Sequence, residues 1–328
     1  MKVKISDTLI LVLTFFIFIL VMVVLNGTQF FKIQNIQSMA FQMPELGILS
    51  LAMMIAMLTG GINLSIIASS NLTSIVIALV LSKLLGSDMS TSGSVGNILL
   101  AIGAGLAVSA LIGLLNGFLI AYFEVSPILA TLGTMILIKG ISIVITKGYV
   151  ISGFPSMIRF IGNGMVLGIP APMIIFLIFA ALMALILIKT PLGTHIYMLG
   201  SNATACHYSG VDTKKVLMKT YLISGLYTGI AACIMMSRFN SVKADYGESY
   251  LLMTVLASVL GGVSASGGFG KVSGLVIALL ILQVVSNGLN LLRVNNFLTI
   301  AIWGGILIVV MIANYFFGRQ NNNGKSLG

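Results

Sequence analysis

Charge is what this chain has least of. Only 7% of its residues are Asp, Glu, Lys or Arg, and just seven are acidic. A chain of 328 residues that is 58% hydrophobic, with a mean hydropathy of +1.13, cannot hide its apolar surface in a water-soluble core. Its solvent is a lipid bilayer, which admits only helices or closed barrels. The apolar runs are long and continuous rather than alternating. They are therefore helices, each needing about 20 residues to cross.

Other scarcities exclude chemistry. The two cysteines, Cys206 and Cys233, have no disulfide or zinc spacing. The two histidines, His195 and His207, share one loop without paired carboxylates, and no G-x-S-x-G occurs. Gly267-Gly268-Phe269-Gly270-Lys271 glances at a P-loop, but Ala265 and Val272 stand where that motif needs Gly and Ser/Thr. No catalytic residue, metal or cofactor is expected in this chain, and any ATP hydrolysis belongs to another subunit. By hydropathy no acid falls mid-span, which argues against proton or sodium coupling. The absence of an arginine ladder excludes voltage sensing. The net charge of +10 is scattered over short loops without aromatic interleaving. It reads as topology and contact with anionic headgroups, not as nucleic-acid binding.

What is present organises as an all-α polytopic protein, one membrane domain over 1–328. Ten spans are expected at 8–26, 44–60, 62–82, 95–122, 127–146, 171–188, 213–237, 249–263, 272–291 and 296–317. The first is retained rather than cleaved, because Asn26-Gly27-Thr28-Gln29 offers no small-x-small site. With both termini cytoplasmic, Lys2, Lys4, Lys189, Lys214, Lys215, Lys219, Lys271, Arg319 and Lys325 lie inside. Lys32, Lys83, Lys147, Arg159, Arg238, Lys243 and Arg293 lie outside, and Lys139 falls within a span. The bias is small, and the four lysines of 189–219 carry the orientation. The stretch 147–170 should lie along the outer surface.

Two glycine pairs interrupt the apolar pattern, at Gly60-Gly61-Ile62-Asn63-Leu64-Ser65 and at Gly261-Gly262 through Gly267-Gly268. They are either broken helices lining a cavity or close crossings through small residues. Asn116-Gly117 and Asn287-Gly288 each close a span, with Gly133 and Gly304 at equal spacing beyond. This is read as an inverted repeat, against the alternative that Asn-Gly merely ends helices. Uncharged polar residues recur inside spans, Asn63, Ser65, Asn71, Asn116, Thr131 and Asn287, and Ser264 lies in the second glycine break. As a set they suit a path for a neutral polyhydroxyl solute; singly, each suits interhelical hydrogen bonding. Outward charges near span ends, Arg159, Arg238, Lys243 and Arg293, are candidates for docking an outer partner.

The segment 198–215, MLGSNATACHYSGVDTKK, is small-residue, polar and basic between apolar spans. Gly200, Ser201, Asn202, Ala203 and Ala205 suit a short helix over 198–210 that a cytoplasmic partner approaches closely, and Gly210 permits the turn out.

Four stretches resemble the permease subunit of carbohydrate-uptake ABC importers, the ribose/galactose/autoinducer-type branch. They are Gly60 to Ser65, Asn116-Gly117 through Pro127 to Thr134, Thr190 to Ala205 with Ser209-Gly210-Val211, and Val259 to Gly262 with Gly267 to Gly270. Asn63 departs from the family's usual Asp, and His195 stands where Arg is common. The resemblance implies ten helices, cytoplasmic ABC ATPase subunits, an outer solute-binding protein and a second permease copy or paralogue in an inner or plasma membrane. It makes 198–210 the coupling helix. A small sugar or sugar-like solute leads; nucleoside or amino-acid import is the alternative, and a self-sufficient channel or uniporter the rival from another class.

Overall fold

The computed structural model describes residues 7–85 and 95–323. Lys2, Lys4 and Lys325, which belong to the charge pattern above, lie outside the described residues. In chain order the helices are α1 (Asp7–Asn26), α2 (Ile33–Leu58), α3 (Ile66–Leu85), α4 (Val95–Tyr122), α5 (Pro127–Thr146), α6 (Ser156–Asn163) and α7 (Ala171–Lys189). They continue as α8 (Pro191–Ser201), α9 (Ala203–Tyr208), α10 (Thr213–Phe239), α11 (Tyr250–Leu260), α12 (Val272–Leu291) and α13 (Asn296–Asn323). Among the described residues, strands are limited to two two-residue ladders. β1 (Ile151–Ser152) pairs with β4 (Ser241–Val242), and β2 (Met165–Val166) with β3 (Ile169–Pro170), both antiparallel.

Among the described residues, eight helices are long and apolar enough to cross a membrane, and α11 and Phe297–Val310 of α13 are shorter apolar helices. Each of the ten expected spans thus coincides with an apolar helix. The span expected over 249–263 is the exception in length. At 1.5 Å per residue α11 covers only about 16 Å, half of a hydrocarbon core.

The centre of the bundle is α2. Within its most apolar window 89% of residues are buried, against 6% for α1, which packs on α12 at the edge. Close approach explains this position. A Cβ on Gly47 would sit 2.5 Å from the Phe176 ring of α7, so glycine lets that ring press onto the backbone. α10 lies against α4 through Gly113, Gly225 and Gly229, where any Cβ would fall within 2.4 Å of the opposite helix.

Three expectations are corrected here. α2 begins at Ile33 rather than at 44, because Gln34, Asn35, Gln37 and Gln42 depress hydropathy without breaking the helix. Glu45 therefore sits in mid-helix and is fully buried, although no acid was expected mid-span. It survives there because Arg238 Nη1 donates to its Oε1 at 2.7 Å and the Tyr250 hydroxyl donates to the same oxygen. Asn116-Gly117 and Asn287-Gly288 do not close their helices either. α4 runs on to Tyr122 and α12 to Leu291, and both glycines serve as contacts, Gly117 against α10 and Gly288 against Met22.

Removing one partner of the Glu45–Arg238 pair leaves a charge without compensation. Arg238→Met should cost on the order of 3 kcal/mol, read as a lower thermal midpoint of the detergent-purified protein. Glu45→Gln combined with Arg238→Met should recover most of that loss.

Candidate functional site

The segment between α7 and α10 is built from three successive caps. The Thr190 hydroxyl accepts from Gly193 N at 3.3 Å and Pro191 occupies the first turn, which starts α8. Asn202 is extended at φ −160°, and its Oδ1 accepts from Ala205 N at 2.9 Å, which starts α9. Gly210 turns the chain at φ +80°, and Asp212 Oδ1 accepts from Lys215 N at 3.0 Å to start α10. The backbone and side-chain bonds from Lys215 hold the Asp212 carboxyl below its usual range. The single helix expected over 198–210 is therefore two. Asn202 can cap α9 only from a non-helical backbone, so it must end α8 first.

Ser201, Asn202, Ala203, Ala205 and Gly210 are exposed, and Tyr208 is 86% exposed. Cys206 alone on α9 points inward, and burial pushes its thiol pKa up. A groove of about 470 Å³ runs between α8 and α9, lined by Thr194, Tyr197, Ser201, Asn202, Ala205 and Cys206.

Gly200 faces the other way, into the protein. A Cβ there would lie 1.9 Å from the Leu58 carbonyl oxygen and 2.4 Å from Gly268 N. That carbonyl, at the end of α2, already accepts from Gly268 N at 3.0 Å. Gly267, at φ +90°, abuts Gly60 and Gly200, and the Tyr197 hydroxyl donates to Gly270 O at 2.8 Å. The two glycine-rich breaks therefore meet each other, and α8 is wedged onto their junction. Of the two readings of these breaks, the structure supports close crossing. A Cβ on Gly61 would strike Tyr221 and Pro127, and one on Gly274 would fall 2.2 Å from Gly261 O.

Four candidate path residues come together above the first break. Asn63 Nδ2 donates to Ser224 Oγ at 3.0 Å, and Ser224 in turn donates to Ala52 O at 2.8 Å. Ser65 Oγ donates to Asn63 Oδ1 and accepts from Asn116 Nδ2, both at 2.8 Å. Leu64 N donates to Thr131 Oγ1 at 3.1 Å. All four are buried, and this network fastens 62–65 to α4, α5 and α10. Asn71, Ser264 and Asn287 stand apart from it. Asn71 holds the backbone of Ala244 and Tyr246, Ser264 bonds Ser266, and Asn287 Nδ2 has no partner among the described residues.

Comparison with known proteins decides the family. The model for the branched-chain amino acid transport system / permease component matches residues 35–313. The chain belongs to this permease family. It is 35% identical over 299 residues to the ribose import permease protein RbsC of Bacillus subtilis, covering 90% of this chain and 89% of that protein. It is 33% identical over 308 residues to RbsC of Haemophilus influenzae, covering 93% and 92%. To the autoinducer 2 import system permease protein LsrD of Yersinia enterocolitica it is 32% identical over 273 residues, covering 81% and 79%. No solved structure matches it.

At the end of the permease away from α8 and α9, the candidate docking charges differ in kind. Arg159 and Arg293 are exposed. Lys243 pairs with Asp245 at 3.0 Å, and Arg238 is committed to Glu45 while bordering a polar cavity of about 370 Å³ with Gln34, Gln37 and Asn163. Lys139, within α5, pairs with Glu248 at 2.5 Å. Sequence reasoning missed Leu58, Tyr197 and Glu248 as partners. Each acts across more than 70 positions of chain, and no local pattern signals such a contact.

The permease should tolerate little at Gly200. Gly200→Ala, which forces α8 off the Leu58 carbonyl, should cost about 1–3 kcal/mol in thermal unfolding, whereas Ala203→Ser on exposed α9 should be neutral.

Proposed function

We propose that this permease is the membrane subunit of an ATP-driven importer for a small sugar or sugar-like solute, working with cytoplasmic ABC ATPase subunits and an outer solute-binding protein. One observation carries the reading: an exposed α9 joined to an α8 whose Gly200 is locked onto both helix breaks. A partner pressing on α9 moves α8, and α8 bears on the end of α2 and on the glycine-rich loop after α11. ATP hydrolysis in a separate subunit needs such a route into the membrane helices. The ribose and autoinducer 2 permeases among the relatives favour a sugar-like cargo over the amino acid named in the family's description.

The α8–α9 end and both termini face the cytoplasm, as the lysines at 189, 214, 215 and 219 favour. The opposite end, with Arg159, Arg293, and the Lys243 and Arg238 pairs, receives the binding protein. A second copy or paralogue completes the path. Its support is the exposed Lys139–Glu248 pair on a membrane-crossing helix, a surface unsuited to hydrocarbon.

In a permease lacking Cys206 and Cys233, a thiol at Ser201 should react with an impermeant reagent only from the cytoplasmic side. Reaction from outside overturns the orientation. Ala203→Glu and Gly210→Trp should leave insertion intact yet lower solute-stimulated ATP hydrolysis, by the roughly 0.5–2 kcal/mol typical of coupling elements. Wild-type uptake and hydrolysis in both variants would reduce α8–α9 to a passive linker.

A further inference from the structure

We propose that Lys139 and Glu248 line the solute path in its outer half and exchange their mutual hydrogen bond for the hydroxyl groups of the passing solute. The inference rests on the sugar reading above.

Three observations converge on this place. α5 is long and apolar enough to cross the membrane, yet Lys139, two-thirds of the way along it, is 43% exposed and its partner Glu248 is 56% exposed. An ion pair on such a helix does not face lipid; it faces water or protein. Second, α11 spans only Tyr250–Leu260, so the upper half of that crossing is made by the non-helical segment 240–249. Irregular backbone at membrane depth is tolerated where it is buried in protein or lines a water-filled cavity. Third, the segment is held at depth deliberately. Asn71, buried in the first half of α3, donates from Nδ2 to Ala244 O at 3.0 Å and to Tyr246 O at 2.9 Å. The β1–β4 ladder fixes its other end, and Asp245 and Glu248 are left exposed.

The chemistry suits an uncharged hydroxylated solute. At 2.5 Å the pair neutralises itself, so it presents hydrogen-bonding groups and no net charge. A carboxylate accepts from hydroxyls and an ammonium donates to them. Gly133 and Gly140, with nothing within 4 Å of a built Cβ, leave the neighbouring face of α5 open. Asn71 is a positioning residue, acting through the loop it grips.

The test uses the complete importer, with its ATPase and binding protein, in lipid nanodiscs and a permease lacking Cys206 and Cys233. Lys139→Cys, Glu248→Cys and, outside the pair on the same loop, Asp245→Cys are exposed to a hydrophilic maleimide. Leu182→Cys, on an exposed apolar face of α7, is the lipid-facing control. The path thiols should react at least about tenfold faster than the control, since a thiolate forms only in contact with water. D-Ribose, and not L-leucine, should slow the reaction at position 248. Labelling no faster than the control overturns the path assignment. Fast labelling that D-ribose leaves unchanged overturns the solute contact. Wild-type uptake of L-leucine without D-ribose overturns instead the sugar reading, and the labelling rates then still decide whether the pair faces the path.

Discussion

A lipid bilayer offers no hydrogen bonds, and the whole architecture follows from where this chain stops being helical. Each break frees backbone groups that must find partners inside the protein. The break after α2 gives its Leu58 carbonyl to Gly268 N, which belongs to the break after α11. Two local defects thereby become one long-range bond. The glycines around it permit the approach that the bond requires, since a side chain on Gly200, Gly267 or Gly268 would occupy the space of another backbone.

The polar residues above this junction carry the same logic a step further. Asn63, Ser65, Asn116, Thr131 and Ser224 are individually weak interhelical contacts of under about 1 kcal/mol each. Linked in sequence, they tie Ile62 O, Asn63 Nδ2, Leu64 N and Ser65 Oγ of the segment 62–65 to α5, α10 and α4. The segment is rigid for that reason. The half away from α8 and α9 is organised differently, around ion pairs: Glu45 with Arg238, Lys139 with Glu248 and Lys243 with Asp245.

Much of this was legible in the sequence, and the limits have physical causes. Hydropathy found ten apolar helices because hydrocarbon thickness imposes a length that short runs of residues report. It misplaced the start of α2 because amides lower hydropathy while leaving helix propensity intact. Glycine pairs marked the breaks, since glycine is costly in a helix interior. What the glycines approach depends on which helices are neighbours, and that is a property of the folded bundle. The 198–210 segment stood out by its composition as a break between apolar spans. Its division at Asn202 turns on one side chain bonding three residues ahead, a choice that composition leaves open. Lys139 stood out alone in its span, whereas its partner lies 109 positions away on a loop held by Asn71.

The separation of α8 from α9 by a single capping residue assigns two duties to two pieces. α8 carries the contacts that fit the permease to itself, and its Gly200 has no room to change. α9 carries the surface proposed to meet the ATPase, and all of it but Cys206 is solvent-exposed. Substitutions on α9 can therefore change its exposed surface while the membrane helices keep their arrangement. The exposed piece can thus be altered without disturbing the packed one, in the way that a plug is changed without rewiring the appliance.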